Sequence, residues 1–267
     1  MRINNRDEKV TRRMPAHFRQ WMPAGGVCPY DDCTTIEIRY TTDAEKLRQY
    51  VPEEFAVTRP LVMLMYERCC GVQWMGGSAY SLASVSVPVQ YIAGKEPIDG
   101  VYHLVIWEDR TEPVIGGREE AGMPKVFCDI PQYRRLGNDL SVNLSHEGRT
   151  FLEMELAIGR DCTADELAAI NADSGRIVQF GWRYIPKVGP FPGPALSEAT
   201  YYPVDNVYTA VSACTGTVKW TVPQSGQHPT QHGIIAAIAA LPVYEYLPGS
   251  FRKGSCTMRM DLARALP

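Results

Sequence analysis

One stretch of ten residues carries most of the side chains that could do chemistry, and it runs from Gly116 to Lys125. It contains three glycines, one proline, one arginine, two glutamates and one lysine. Glycine permits close approaches that side chains forbid, and Pro124 fixes its own φ and restricts Met123, so we expect a constrained loop that holds Lys125 in place. In an apolar pocket, desolvation disfavours the ammonium and leaves a neutral amine that can attack a carbonyl. On spacing alone, the alternative of an exposed structural lysine stays open.

The same stretch resembles a known signature. Gly117-Arg118-Glu119 followed by Met123-Pro124-Lys125 resembles the Gly-Arg-Glu…Pro-Lys motif of the acetoacetate decarboxylase superfamily. Other segments resemble landmarks of that family in its order, between residues 35 and 260: Tyr40–Asp43, Val51–Glu53, Pro60–Val62, Val87–Val89 and Leu241–Val243. The resemblance implies that Lys125 forms a Schiff base with a keto substrate, a role for which acetoacetate decarboxylase is the familiar example.

Departures from the decarboxylase pattern indicate different imine chemistry. The decarboxylase has a second lysine after the reactive one, where this chain has Val126. Its two active-site glutamates align near Met65 and Leu82, and its substrate-side arginine aligns near Cys33. The nucleophile is therefore kept while the decarboxylating groups are lost, as in the aldolase-dehydratase-like members of the superfamily.

An imine-forming site also needs a proton shuttle, because water must leave and return during the reaction. We expect Glu120 and Tyr80 to act with Lys125 as catalytic residues. Further candidates support the site or bind substrate: Arg118, Glu119, Tyr66, Leu82, Glu108 and Met123. For Arg118 and Glu119, an ion pair that fixes the loop is the alternative that we favour over a catalytic role. Tyr80, Tyr66 and Glu108 could each instead be an ordinary core or rim residue.

Three functions are open on these residues. The first is a Schiff-base lyase that condenses a small 2-oxo acid such as pyruvate with an aldehyde and then loses water. The second is a decarboxylase of a 3-oxo acid that uses a different set of acids. The third is a non-catalytic fold that binds a small carbonyl compound.

The composition limits the other function classes. The chain has 267 residues, of which 45% are hydrophobic and 21% charged, with a net charge of −3, as in ordinary soluble globular proteins. This charge gives no electrostatic case for nucleic acid. Because the start of the chain has no secretion signal and no long apolar run occurs, we expect a cytoplasmic protein without a membrane span. Eight scattered cysteines form no C-x-x-C pair, so we expect reduced thiols, no metal and no cofactor. A homo-oligomer is expected from the family resemblance.

The elements that must position these side chains are mostly strands. Alternation or apolar runs predict strands in the following ranges: 34–40, 61–66, 80–91, 101–107, 140–145, 152–158, 177–185, 207–221 and two more after 241. Thr42–Glu45 and Thr163–Glu166 read as capping boxes that open helices. Residues 229–241 predict a buried helix because they are apolar on every side.

This pattern predicts a mainly β (α+β) fold with a few packed helices. The family resemblance implies a closed, cone-like antiparallel β-barrel with the lysine inside. We expect an N-terminal arm over residues 1–30 and a single domain of this family over residues 31–267. Periodicity alone does not separate a barrel from a sandwich.

Overall fold

The computed structural model describes residues 14–15 and 26–267, so the expected N-terminal arm lies mostly outside the described residues. Within the described part the fold is mainly β, with four α-helices and a sheet of 13 strands. No helix among the described residues is long and apolar enough to cross a membrane.

The strands, in chain order, are β1 Val27–Thr41, β2 Phe55–Val57, β3 Leu61–Val72, β4 Ser78–Tyr91, β5 Ile98–Glu108, β6 Lys125–Phe127, β7 Arg134–Leu136, β8 Asp139–His146, β9 Arg149–Asp161, β10 Arg176–Pro186, β11 Pro194–Trp220, β12 Glu245–Arg259 and β13 Arg264–Ala265. The helices are α1 Ala44–Arg48, α2 Thr111–Ala121, α3 Ala164–Ser174 and α4 His232–Ala239. Because β1 begins at Val27, the first strand starts inside the segment that was expected to be an arm.

The strands pair in the order β10-β5-β4-β3-β1-β12-β11-β9-β8-β7, and β10 also pairs with β11. Seven strands, from β10 through β5 to β11, therefore pair in a continuous cycle. The pairings of β5 with β10 and with β6 are parallel, so the expectation of a purely antiparallel sheet is wrong. The cone-like shape stays a prediction.

The two faces of the sheet carry different cores. Along β4, Ala83, Val85 and Val87 lie in the larger apolar cluster, while Tyr80 and Leu82 lie in a second, smaller one. This division follows from the alternation of side chains along a strand. The smaller cluster borders the cavity described below.

Two local predictions hold in detail. The strands predicted at 140–145 and 152–158 pair as the β8–β9 hairpin, which turns at Glu147 and Gly148 with positive φ angles of 50° and 77°. Helix α3 begins at the predicted capping box, in which Thr163 and Glu166 bond to each other's backbone N–H. Helix α1 differs by one residue, because Asp43 rather than Thr42 is its N-cap and accepts the bond from the Lys46 N–H.

Candidate active site

The lysine segment is not the loop expected from its glycines. Its first part is the second half of helix α2, which ends at Ala121, and its last residue is the first of strand β6. Gly122 makes the change of direction, with a φ of 68° in the left-handed region that favours glycine. A side chain at Gly122 would also lie 2.7 Å from the backbone nitrogen of Arg183, so the turn requires glycine on both counts.

The glycine at position 117 lies inside α2 for a tertiary reason. A Cβ atom added there would lie 2.5 Å from Cε of Lys125 and 2.8 Å from its Nζ. Glycine costs a helix about 1 kcal/mol relative to alanine. The missing side chain therefore makes room for the lysine, which crosses the helix at this point.

Lys125 is held from three directions. Its Nζ lies 2.7 Å from Oε1 of Glu108 and donates a hydrogen bond of 3.2 Å to the Pro113 carbonyl. Arg118 donates to the Lys125 carbonyl at 3.1 Å and so fixes the backbone of the lysine. The lysine side chain is 10% exposed and that of Glu108 is fully buried.

Glu108 is an unusual partner because its carboxylate makes no other polar contact among the described residues. Apart from the contact with Lys125, its two oxygens have no hydrogen-bond donor among the described residues. Burial raises the pKa of Glu108 above its ordinary range, and the nearby Lys125 charge opposes this only in part. A carboxyl of this kind can take a proton from the amine and return it during imine chemistry.

The amine faces a cavity of about 130 Å³. Apolar and sulfur-containing side chains form much of its wall: Met65, Leu82, Ile106, Met123, Met258 and Met260. Tyr30, Trp74 and Tyr202 add an aromatic part. Such a wall suits a small carbonyl compound with an apolar or aromatic portion.

A β-bulge brings a histidine into this site. Val85 pairs with Val105 and Ser86 with His103, so Leu104 is an extra residue in β5. Because the bulge shifts the alternation by one residue, His103 faces the cavity together with Ile106 and Glu108. Burial lowers the pKa of His103 to about 4, with a further contribution from the Lys125 charge, so the ring is neutral at pH 7. Its Nδ1 lies 2.8 Å from Ser86 Oγ, and its Nε2 has no partner among the described residues.

A row of register partners crosses the cavity wall from β12 to β5. Arg252 pairs with Thr35, Thr35 with Glu67, Glu67 with Leu82, and Leu82 with Glu108. All five side chains line the cavity. Since neighbouring strands lie about 4.8 Å apart, Glu67 is two strands, or roughly 10 Å, from Glu108. Burial raises the pKa of Glu67 to about 8, and hydrogen bonding with Cys33 adds to this effect.

The residues expected from the sequence fall into three groups. Five line the cavity together: Lys125, Glu108, Glu120, Leu82 and Met123. Tyr80 is fully buried one layer behind the wall, where its hydroxyl donates to the Tyr30 hydroxyl at 3.3 Å. Burial raises the pKa of Tyr80 well above its ordinary value.

The third group lies outside the cavity. Tyr66 packs in the larger core, and its hydroxyl accepts a hydrogen bond from the Tyr133 N–H. Neither Arg118 nor Glu119 lines the cavity. The expected Arg118–Glu119 ion pair is wrong, because among the described residues Arg118 bonds to the Lys125 carbonyl instead.

Sequence reasoning missed His103, Glu67 and Arg252. His103 depends on a bulge that no local pattern shows, since Val101–Trp107 reads as a regular strand. Glu67 occupies the cavity face two residues after Met65, so alternation along β3 could have pointed to it. Arg252 lies on β12, the last long strand, which is far along the chain from the lysine motif, so no local pattern links the two.

The site and fold together are those of a β-rich protein with a buried amine and carboxyl in a small cavity. The model of the family described as acetoacetate decarboxylase matches residues 13–259, and the chain belongs to this family. The acetoacetate decarboxylase of Burkholderia cenocepacia (strain HI2424) is 36% identical over 105 residues, which cover 39% of this chain and 40% of that protein.

Solved structures share the whole fold at lower identity. Acetoacetate decarboxylase from Legionella pneumophila has a TM-score of 0.74 at 17% identity, covering 93% of this chain and 91% of that one. The enduracididine biosynthesis enzyme MppR in complex with pyruvate has a TM-score of 0.69 at 15% identity and covers 95% of both chains. The same enzyme is also known with the condensation product of pyruvate and imidazole 4-carboxaldehyde, at a TM-score of 0.68 and 16% identity, covering 90% of this chain and 88% of that one.

Proposed function

We propose that this protein is a Schiff-base lyase that condenses a small 2-oxo acid such as pyruvate with an aldehyde and then eliminates water. The observation that carries the proposal is the 2.7 Å contact between Lys125 Nζ and the buried Glu108 carboxyl at the wall of a small cavity. The amine supplies a nucleophile, and the carboxyl supplies a proton acceptor within hydrogen-bond reach.

The reaction can be followed through these two groups. Glu108 takes a proton from Lys125, and the neutral amine adds to the C2 carbonyl of pyruvate. Loss of water gives the imine, and loss of a C3 proton gives an enamine, which attacks the aldehyde carbon. Elimination of the new hydroxyl as water forms a double bond. Addition of water to the imine then frees Lys125 and releases a conjugated 2-oxo acid.

Other residues of the cavity supply proton and hydrogen-bond partners for these steps. The unpartnered Nε2 of His103 and the side chain of Glu120 face the cavity in which the new hydroxyl would form. Neutral His103 can donate to an oxygen or accept from it, depending on its tautomer. Tyr80 lies behind the wall, so in this proposal it orients Tyr30 and does not touch substrate.

Two observations favour condensation over decarboxylation of acetoacetate. Met65 and Leu82, the positions aligned with the decarboxylase glutamates, are both at the cavity wall and carry no charge. Leu82 lies between Glu67 and Glu108 in the register row and so separates these two acids. A structural neighbour that binds a pyruvate–aldehyde condensation product adds support at the level of the fold.

Decarboxylation of another 3-oxo acid is the second candidate. It is favoured by Glu67 and Arg252, a carboxyl and a cation that line the cavity. Neither residue is at the positions aligned with the acids and the arginine of the decarboxylase. It is also consistent with the curated relatives named acetoacetate decarboxylase, although the match covers only 40% of their length. A cavity that only binds carbonyl compounds is the third possibility.

A substrate screen tests the proposal. Protein, pyruvate and a series of aromatic aldehydes should give a product with new near-ultraviolet absorbance, and Lys125→Ala should not. Lys219→Ala is the matched control, because Lys219 is exposed and pairs with Glu153 on the surface. Carbon dioxide release from acetoacetate, without such absorbance from any aldehyde, would contradict the proposal and support the second candidate.

A further inference from the structure

Three cysteines and a glutamate converge at the side of the cavity away from the lysine: Cys33, Cys69, Cys256 and Glu67. Cys33 lies on β1 and pairs in register with Cys69 on β3, while Thr35 pairs with Glu67 two residues away. Glu67 and Cys69 line the cavity, and Cys33 is buried beside them. The proposed imine chemistry uses none of these four groups.

The donor atoms are close enough to share one ion. The sulfurs of Cys33 and Cys69 and a carboxylate oxygen of Glu67 all lie within 4.8 Å of one another. Around a tetrahedral zinc ion with Zn–S bonds of about 2.3 Å, neighbouring sulfurs are about 3.8 Å apart. Side-chain movements of about 1 Å would therefore bring the three atoms into contact with a common ion.

Glu67 is surrounded by polar groups but is not paired with a cation in the described part of the chain. Glu67 is half-buried, and no residue that the structure describes forms an ion pair with it. The positive charge of Arg252 lowers the pKa of Glu67, but the Arg252 guanidinium already bonds to Glu37 at 2.5 Å. Its hydrogen-bond partners Cys33 and Thr35 carry no positive charge, so a bound cation would be the group that balances an ionised Glu67.

We propose that Cys33, Glu67 and Cys69 form a binding site for one zinc ion, with the fourth ligand position open to the cavity. Thiolates and a carboxylate are ligands that zinc accepts, and a site with three protein ligands leaves one position for water or a substrate oxygen. Cys256, whose sulfur lies 3.6 Å from that of Cys33, is a neighbour that can bond to the Cys33 sulfur and is not a ligand.

The proposed zinc site differs from the expectation from sequence, which was reduced thiols and no metal. No C-x-x-C pattern predicts this site, because its ligands lie on two different strands, β1 and β3, which pair in the sheet. Its existence does not depend on the imine reaction, and its test measures metal binding and not turnover.

The test uses the full-length protein, reduced and freed of metal with a chelator under anaerobic conditions. Zinc is added in slight excess, unbound ions are removed by gel filtration, and retained zinc is measured. We expect one equivalent per chain and a rise in melting temperature. With cobalt as a spectroscopic probe, we expect thiolate charge-transfer bands and the strong visible bands of a tetrahedral site.

Variants assign the ligands. Cys33→Ser and Cys69→Ser should lose the retained zinc and the cobalt bands, and Glu67→Gln should weaken binding at least tenfold. Cys70→Ser is the matched control, because Cys70 is the next residue along β3 and does not line the cavity. Cys256→Ser should keep one equivalent.

Circular dichroism establishes that each variant folds. If Cys33→Ser does not fold, Glu67→Gln decides, since it changes a carboxylate to an amide of the same shape. The proposal is overturned if the reduced wild-type protein retains no zinc, or if Cys69→Ser and Glu67→Gln retain as much as Cys70→Ser. Loss of binding in Cys256→Ser with full binding in Glu67→Gln would replace the proposed ligand set with three thiols.

Discussion

The glycine that makes room for the lysine provides a sharp test of how the site is built. In Gly117→Ala, the new methyl group would lie 2.5 Å from Cε and 2.8 Å from Nζ of Lys125. Ordinary carbon contacts are about 3.5 Å or longer, so the lysine side chain must move by about 1 Å. The same movement takes Nζ away from Glu108, with which it now makes a 2.7 Å contact.

The substitution should affect activity far more than stability. Alanine is favoured over glycine in a helix by about 1 kcal/mol, and the atoms in the way belong to the flexible end of a side chain. We therefore expect the free energy of unfolding to change by no more than about 1 kcal/mol. Because a misplacement of about 1 Å at a reacting group can cost about a hundredfold in rate, imine formation should fall by that order.

The assay compares Gly117→Ala with Gly233→Ala. Gly233 lies near the start of α4 with no atom within 4 Å of the position of a new methyl group. Gly233→Ala should keep full activity and gain up to about 1 kcal/mol in stability. Unchanged rates of imine formation in Gly117→Ala, measured by single-turnover kinetics with pyruvate, would refute the claim that this helix glycine positions the lysine.

The other predictions concern the partner acid, pH, the turn and the outer tyrosine. Glu108→Gln should slow imine formation by about 10²- to 10⁴-fold in stopped-flow measurements, because the amide accepts no proton from Lys125; a rate within a few-fold of wild type would contradict this. Because burial raises the pKa of Glu108, imine formation should increase with pH through a midpoint above the ordinary glutamate value of ~4.3, and Glu108→Gln should lose that step. A raised pKa means that the folded state holds this proton more tightly. The free energy of unfolding should therefore fall as pH rises from the ordinary value to the raised one, in wild type but not in Glu108→Gln. Gly122→Ala should lower stability by more than about 1 kcal/mol in urea unfolding, because the left-handed turn and the Arg183 backbone both oppose a side chain, and unchanged stability would be inconsistent with that turn. Tyr66→Phe should cost about 1 kcal/mol in thermal unfolding and leave activity intact, since its hydroxyl bonds to backbone outside the cavity; a large loss of activity would return Tyr66 to the site.

Local patterns in the sequence account for much of the fold. The β8–β9 hairpin and the capping box at Thr163 depend on neighbouring residues, and both appear as expected. The two faces of β4 follow from simple alternation. By contrast, Gly116 and Gly117 predict a loop by local preference, whereas the structure has a helix there in which Gly117 packs against Lys125.

The parts of the site that sequence did not predict depend on long-range register. The bulge at Leu104 shifts His103 to the cavity face, and only the pairing of β4 with β5 reveals it. Cys33 and Cys69 are 36 residues apart in the chain, and the pairing of β1 with β3 places them side by side. Such pairings are decided by the whole sheet, so no single segment contains the information.

Reductive trapping tests the central claim most directly. Pyruvate and borohydride are added to the protein, and the labelled peptide is identified by mass spectrometry after proteolysis. We expect the adduct of pyruvate to appear on Lys125, to be absent in Lys125→Ala and to be unaffected in Lys219→Ala. A protein that gives no adduct, or one whose label persists in folded Lys125→Ala, would contradict the assignment of Lys125 as the nucleophile.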